Sequence, residues 1–229
     1  MEVRAQTNSR TGADTRSTAL TATFFYLSRN KISYEKLVAE IRGSFTSVTE
    51  IQTGPKLAQC HYLRACIDES MRMSPPISST LWREVSAADG VWIDGVHVLK
   101  GVDIGVLPYA FHHNEQIFPN AYAFIPERRI ESPDNSRGAI ENARAAFSPF
   151  SIGTRSCAGK TLAYTEISGT IARTLWSLDM KRAEGPLGEV SGGIEGAGEG
   201  YDRVGEFQLK DHITCCPDWP YLRFRKSQI

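Results

Sequence analysis

Apolar residues along this chain recur mostly at three- and four-residue spacings, the period of helices that bury one face. The stripe Ala163, Ile167, Ile171, Leu175 and Leu178 predicts a helix from about Ala158 to Leu178. A second stripe, Leu57, Cys60, Leu63, Ile67 and Met71, predicts a helix that Pro75 and Pro76 end, since proline lacks an amide donor and restricts its predecessor. Ala13, Leu20, Phe24 and Leu27 predict a helix early in the chain, where Asp14 and Thr15 also suit a helix N-terminus. Tyr34, Leu37, Val38 and Ile41 predict an amphipathic helix capped by Ser33 and ending near Gly43.

The period changes in three places. Val91-Trp92-Ile93 and Val96-His97-Val98-Leu99 flank Asp94-Gly95, the strongest short signal for a two-residue hairpin. The runs Glu206–Leu209 and Tyr221–Phe224 read as short strands. From Gly185 to Gly205 the chain carries eight glycines with scattered Glu and Asp, which predicts a surface loop. No G-x-G-x-x-G follows a strand and opens a helix there, so phosphate binding is not expected.

Composition changes the picture only by exclusion. The 229 residues are 41% hydrophobic and 23% charged with a formal net charge of zero, and no basic block marks a nucleic-acid binder. Five cysteines, an odd count, without a signal-peptide pattern point to a reducing, cytoplasmic setting without disulfides. No apolar run of membrane-spanning length occurs, so no membrane segment is expected. A zinc site built from Cys60, Cys66, Cys215, Cys216 and the histidines fares badly, because no C-x-x-C pair exists and adjacent cysteines make poor ligands for one ion. His112 and His113 lack a nearby G-x-S-x-G elbow and read as loop or packing residues.

One segment carries specific chemistry: Phe150, Gly153, Arg155, Cys157 and Gly159 spell F-x-x-G-x-R-x-C-x-G. Gly153 allows a positive backbone φ, and Gly159 lets a flat macrocycle come close to the chain. Cys157 would sit at the N-terminus of the predicted helix, where unpaired N–H groups and the helix dipole favour a thiolate that binds metal. Glu69 and Arg72 lie at i and i+3 on one helix face; exposed, such a pair contributes only about 0.2 to 0.5 kcal/mol. Asp14 and Thr15 place an acid beside an alcohol, a pair able to pass protons.

The ten-residue loop resembles the haem-binding signature of the cytochrome P-450 family, and further motifs follow in that family's order. Thr11-Gly12-Ala13-Asp14-Thr15 is similar to its oxygen-activation segment A/G-G-x-D/E-T, Glu69-Ser70-Met71-Arg72 to E-x-x-R, and Phe124-Ile125-Pro126-Glu127-Arg128 to F-x-P-E-R. The likeness runs from about Gly12 to the C-terminus, and Tyr62–Glu69 is close in wording to fungal members. It implies one partial domain over residues 1–229, mainly α with small β-sheets, the C-terminal, haem-proximal half of that fold. Within it, 1–30 would be the oxygen-activation helix, 56–73 the Glu-x-x-Arg helix, 147–178 the haem loop and following helix, and 185–205 the glycine-rich surface loop.

The implied cofactor is haem. Cys157 would be the axial ligand of its iron, Arg83 and Arg155 would hold propionates, Phe150, Gly153 and Gly159 would shape the loop, and Asp14 with Thr15 would deliver protons. Glu69, Arg72 and Arg128 would form a buried structural triad. The implied activity is a monooxygenase that inserts one oxygen atom from O2 into a small organic substrate of the secondary-metabolite kind. Electrons would come from NADPH through a reductase. Three positions depart from the family: Arg16 replaces a common Thr or Ser and puts a charge near the oxygen pocket, Trp82 replaces a proline, and Leu99-Lys100-Gly101 replaces Pro-x-Gly. The family's early helices, most of its substrate-contacting loops and its endoplasmic-reticulum anchor have no counterpart in this sequence. Apolar faces that those parts cover would then be exposed. The competing expectation is a truncated, non-catalytic remnant.

Overall fold

A computed structural model describes residues 2–210, 215 and 218–228, with side chains from residue 12 onward. Cys216 and the side chain of Thr11, both weighed above, lie outside the described residues. The helices are α1 (Glu2–Arg29), α2 (Lys31–Ser44), α3 (Pro55–Ala58), α4 (His61–Met73), α5 (Pro108–His112), α6 (Arg137–Ala146), α7 (Lys160–Ser177) and α8 (Pro186–Glu189). Among the described residues, three two-stranded antiparallel sheets complete the architecture, so the mainly helical fold with small β-sheets is observed. They pair β1 (Arg83–Glu84) with β4 (Asp103–Ile104), β2 (Val91–Ile93) with β3 (Val96–Val98), and β5 (Leu178–Arg182) with β6 (Leu222–Lys226).

The core forms where α1, α2, α4 and α7 turn their apolar stripes toward one another. Phe25, Tyr26, Leu37, Ile41, Leu63, Ile67, Ile171 and Leu175 are fully buried or nearly so in a single cluster. The Asn30 side-chain amide donates to the Tyr26 carbonyl (2.7 Å), which caps the end of α1 before α2 begins. Ser33 is not the cap expected of it: α2 starts at Lys31, and Ser33 is buried inside its first turn. The Asp94-Gly95 turn has positive φ at both residues (48° and 76°), the twist-compatible form for a two-residue hairpin, and sets Ile93 opposite Val96.

The C-terminal region departs from the sequence expectation in two ways. Glu206–Leu209 forms no strand; Glu206 and Phe207 are buried, and the Gln208 amide donates to Ser191 O (2.8 Å). The strand read at Tyr221–Phe224 lies mostly within β6, whose partner β5 follows α7 directly; the first residue of β5, Leu178, is the expected end of that helix. The glycine-rich stretch is also more than a surface loop. Gly193 and Ser191 are buried, and a Cβ on Gly193 would lie 2.4 Å from the Arg203 carbonyl oxygen. Its glycines permit close backbone packing, which composition alone does not reveal.

His112 and His113 end α5 and are both buried. The Ser148 amide donates to His112 Nε2 (3.1 Å), while His113 Nδ1 donates to Tyr109 O (2.8 Å) and its ring stacks on Tyr122 at 4.8 Å. Burial, reinforced by the Arg72 charge, pushes the His112 ring down to about 3, and burial pushes His113 down to about 4. The unfolded chain therefore binds protons that the folded chain refuses between about pH 6.5 and these lowered values, so the two rings make stability rise with pH across that window. We expect unfolding free energy to fall on acidification below about pH 6.5 by on the order of 1 kcal/mol per pH unit for each histidine. Chemical denaturation from pH 7 to 5 checks this, and His112→Gln should flatten the slope.

Candidate functional site

The loop before α7 is held by its own backbone. The Cys157 amide donates to Phe150 O (2.8 Å) and the Ser156 amide to Gly153 O (3.1 Å), closing a tight turn over Gly153–Arg155. Gly153 has φ +72°, a conformation that a side chain strains. Gly159 has an ordinary φ of −84°, and the nearest atom to a Cβ built on it is Cys157 Sγ at 3.7 Å. Its lack of a side chain therefore keeps the space beside the sulfur clear. Helix α7 begins at Lys160, three residues after the cysteine and two later than the periodicity predicts. Cys157 is exposed.

It opens onto a cavity of about 1680 Å³. One wall is α1, through Gly12, Thr15, Arg16 and Ala19; another is the cysteine loop and α7, through Phe150, Gly153, Cys157, Gly159, Ala163 and Ile167. The segments around Pro76–Arg83 and Ile93–Val106 close a third side with mostly apolar residues. Arg83 and Arg155 both reach this cavity, and among the described residues neither makes a salt bridge. Arg83 donates to the Trp82 carbonyl (2.8 Å) from β1, which pairs with β4 despite the departures at Trp82 and Leu99–Gly101. Thr15 lies on the wall and donates weakly to Gly12 O (3.4 Å). Asp14 is exposed and does not line the cavity. Both sit well inside α1 rather than at its start, so capping does not explain them.

Behind the cavity lies a buried charge network. Glu69 and Arg72 are completely buried: Arg72 Nε meets Glu69 Oε2 at 3.0 Å and Arg72 Nη2 meets Oε1 at 2.9 Å. Arg128 Nε donates to the same Oε1 (3.2 Å), as does the Ile125 amide (3.2 Å). Arg72 also donates to the carbonyls of His112 (2.9 Å) and Ala123 (3.3 Å), and Arg128 to those of Pro119 and Asn120. Burial lowers the Arg128 pKa, with the Glu69 carboxylate opposing that shift.

Comparison with known proteins decides the lineage. The family profile described as cytochrome P-450 matches residues 6–187. The chain belongs to the cytochrome P-450 family. It is 42% identical over 219 residues to the cytochrome P-450 monooxygenase AKT7 of Alternaria alternata, covering 94% of this chain and 42% of that protein. It is 42% identical to a cytochrome P-450 monooxygenase of Gibberella zeae, over 94% of this chain and 48% of that protein. The monooxygenase apf8 of Gibberella fujikuroi is also 42% identical, over 97% of this chain and 60% of that protein. The chain thus spans about two-fifths to three-fifths of the length of these curated relatives.

Membership in the cytochrome P-450 family implies haem, and the residues present suit it. A sulfur donor faces a cleft with apolar walls, a glycine beside it leaves room for a ring, and two guanidinium groups without carboxylate partners stand ready for acidic substituents. Among the described residues, no set of three His, Cys, Asp or Glu side chains gathers as a metal site, and no helix is long and apolar enough to cross a membrane.

Sequence reading missed two contributors. His112 ties the triad to the haem loop, because its carbonyl takes Arg72 while its ring takes the Ser148 amide. Glu166, on α7, forms an ion pair with Arg16 across the helices. Its spacing, three residues after the cavity residue Ala163, was the available signal.

Replacing Arg72 by Met takes the bidentate partner from the buried Glu69 carboxylate and should cost about 3 to 5 kcal/mol. Replacing Arg137, whose pair with Glu141 is exposed, should cost less than about 0.5 kcal/mol. Urea unfolding of the two variants measures the contrast.

Proposed function

We propose that this chain is the haem-bearing part of a monooxygenase that inserts one oxygen atom from O2 into a small organic substrate. The observation that carries the reading is the exposed Cys157 sulfur at the edge of a large, mostly apolar cavity, held there by its amide bond to Phe150 O. A haem bound through thiolate sulfur supplies oxygen activation. Cys157 holds the iron, and Phe150, Gly153 and Gly159 fix the loop and keep the sulfur's approach clear. Arg83 and Arg155 bind the two propionates with charge-assisted hydrogen bonds. Apolar residues such as Ile104, Leu162 and Ala163 exclude water from the ring faces.

Thr15 lines the cavity from α1, and Asp14, the preceding residue, is exposed to solvent. Together they carry protons across the helix from water to the oxygen pocket. Glu69, Arg72 and Arg128 play no part in proton transfer; they hold the segment that leads into the haem loop. The source of electrons in this reading is NADPH, through a separate reductase. Substrate orientation falls to the apolar wall around Ile77, Leu81 and Val106.

The purified chain, loaded with haem and reduced under carbon monoxide, should give the Soret band of thiolate ligation, and Cys157→Ser should abolish it. A wild-type chain without that band overturns the reading; a band without reductase-dependent product from a broad substrate panel leaves a haem protein without turnover. Arg155→Gln should weaken haem retention about tenfold, the loss of one charge-assisted bond. Transfer of haem to an excess of an acceptor apoprotein measures it.

A further inference from the structure

We propose that Arg16 is a positioning residue: with Glu166 it sets the helix that bears Thr15 against the helix that follows Cys157. The inference rests on the haem-thiolate reading of this cavity. Over one turn of α1, four successive side chains bond back to the helix's own carbonyls. Thr15 (3.4 Å) and Arg16 Nε (2.8 Å) donate to Gly12 O, while Ser17 (2.8 Å) and Thr18 (2.9 Å) donate to Asp14 O. Such back-bonding competes with the ladder from i+4 to i and leaves a helix prone to bend at that turn. This soft turn is the one that faces the cavity through Gly12, Thr15 and Arg16.

A soft turn needs external holds: Thr18 ties this one to Cys215 O (3.1 Å), and Arg16 ties it to α7. Arg16 Nη1 forms an ion pair with Glu166 on α7, while Nε of the same planar group holds the Gly12 carbonyl. Because the guanidinium is rigid, these two bonds fix an orientation as well as a distance. Glu166 is flanked on α7 by Ala163 and Ile167, which line the cavity, so sliding α1 against α7 alters the space in front of Thr15. The two side chains are 28% and 45% exposed, which makes the pair a modest contributor to stability. Its effect is on geometry. The Arg16 charge on the cavity wall is thereby neutralised on the spot.

A charge-swap cycle tests this on the haem-loaded chain, with imidazole titrated onto the ferric form as the spectroscopic probe of the distal space. Arg16→Glu and Glu166→Arg should each tighten imidazole binding about threefold or more by loosening α1, and the swapped double variant should restore most of the wild-type affinity. If reversal prevents folding, Arg16→Gln, Glu166→Gln and their double variant close the same cycle. There, non-additive shifts support the pairing. Additive shifts, or variants that change only the melting temperature and leave imidazole affinity unmoved, overturn the proposal. A wild-type chain that shows no thiolate Soret band instead overturns the haem reading itself, and is seen before any variant is made.

Discussion

Arg72 is a guanidinium without contact to water, and a charge in that position persists only if nearly every N–H finds an acceptor. It finds them on three segments at once: the Glu69 carboxylate one turn back on α4, the His112 carbonyl at the end of α5, and the Ala123 carbonyl, while Glu69 in turn accepts from Arg128 beyond. His112 then passes the connection to Ser148, two residues before Phe150. The long stretch between α4 and the cysteine loop strings short strands, α5 and α6 along irregular segments. Its position follows from the need of one buried cation for oxygen atoms.

The cavity is shaped by this arrangement from behind and by two helices from the sides. α7 brings the cysteine loop, α1 brings Thr15, and the short sheets bring Arg83 and an apolar lining. The hairpin of β2 and β3 remains exposed: Trp92 and Val96 keep 73% and 63% of their surface, and Trp82 keeps 63%. Exposed apolar area of this kind marks a binding surface, and Trp82 and Val96 also line the cavity.

Much of this was legible in the sequence because helices announce themselves by period and the haem loop by fixed spacing. The stripe through Ile167, Ile171 and Leu175 and the turn at Asp94-Gly95 needed only local rules. What was not legible depended on partners distant in the chain. Glu206–Leu209 has strand-like composition but finds no neighbouring strand, and Leu178–Arg182 becomes a strand because residues 222–226 lie beside it. Ser33 has the residue type of a cap, yet α2 starts two residues earlier. Asp14 reads like Thr15 in a motif, but a helix turns successive side chains about 100° apart, and only Thr15 meets the cavity. The packed glycines near Gly193 were hidden because flexibility and tight backbone contact share one composition.

The junction of α7 and β5 has a mechanical side. Ser177 ends the helix and Leu178 already begins the strand, so no loop separates them. Asp179 is gripped by Arg42 of α2 (2.9 Å) and by Arg225 of β6 (3.0 Å), and the Ser227 amide donates to Ser177 O (3.0 Å). The rod that starts beside the cysteine is therefore clamped at its far end by the final strand, without slack. A tag or truncation at that strand would act on the cysteine end of α7, by leverage along a stiff helix rather than by touching anything there.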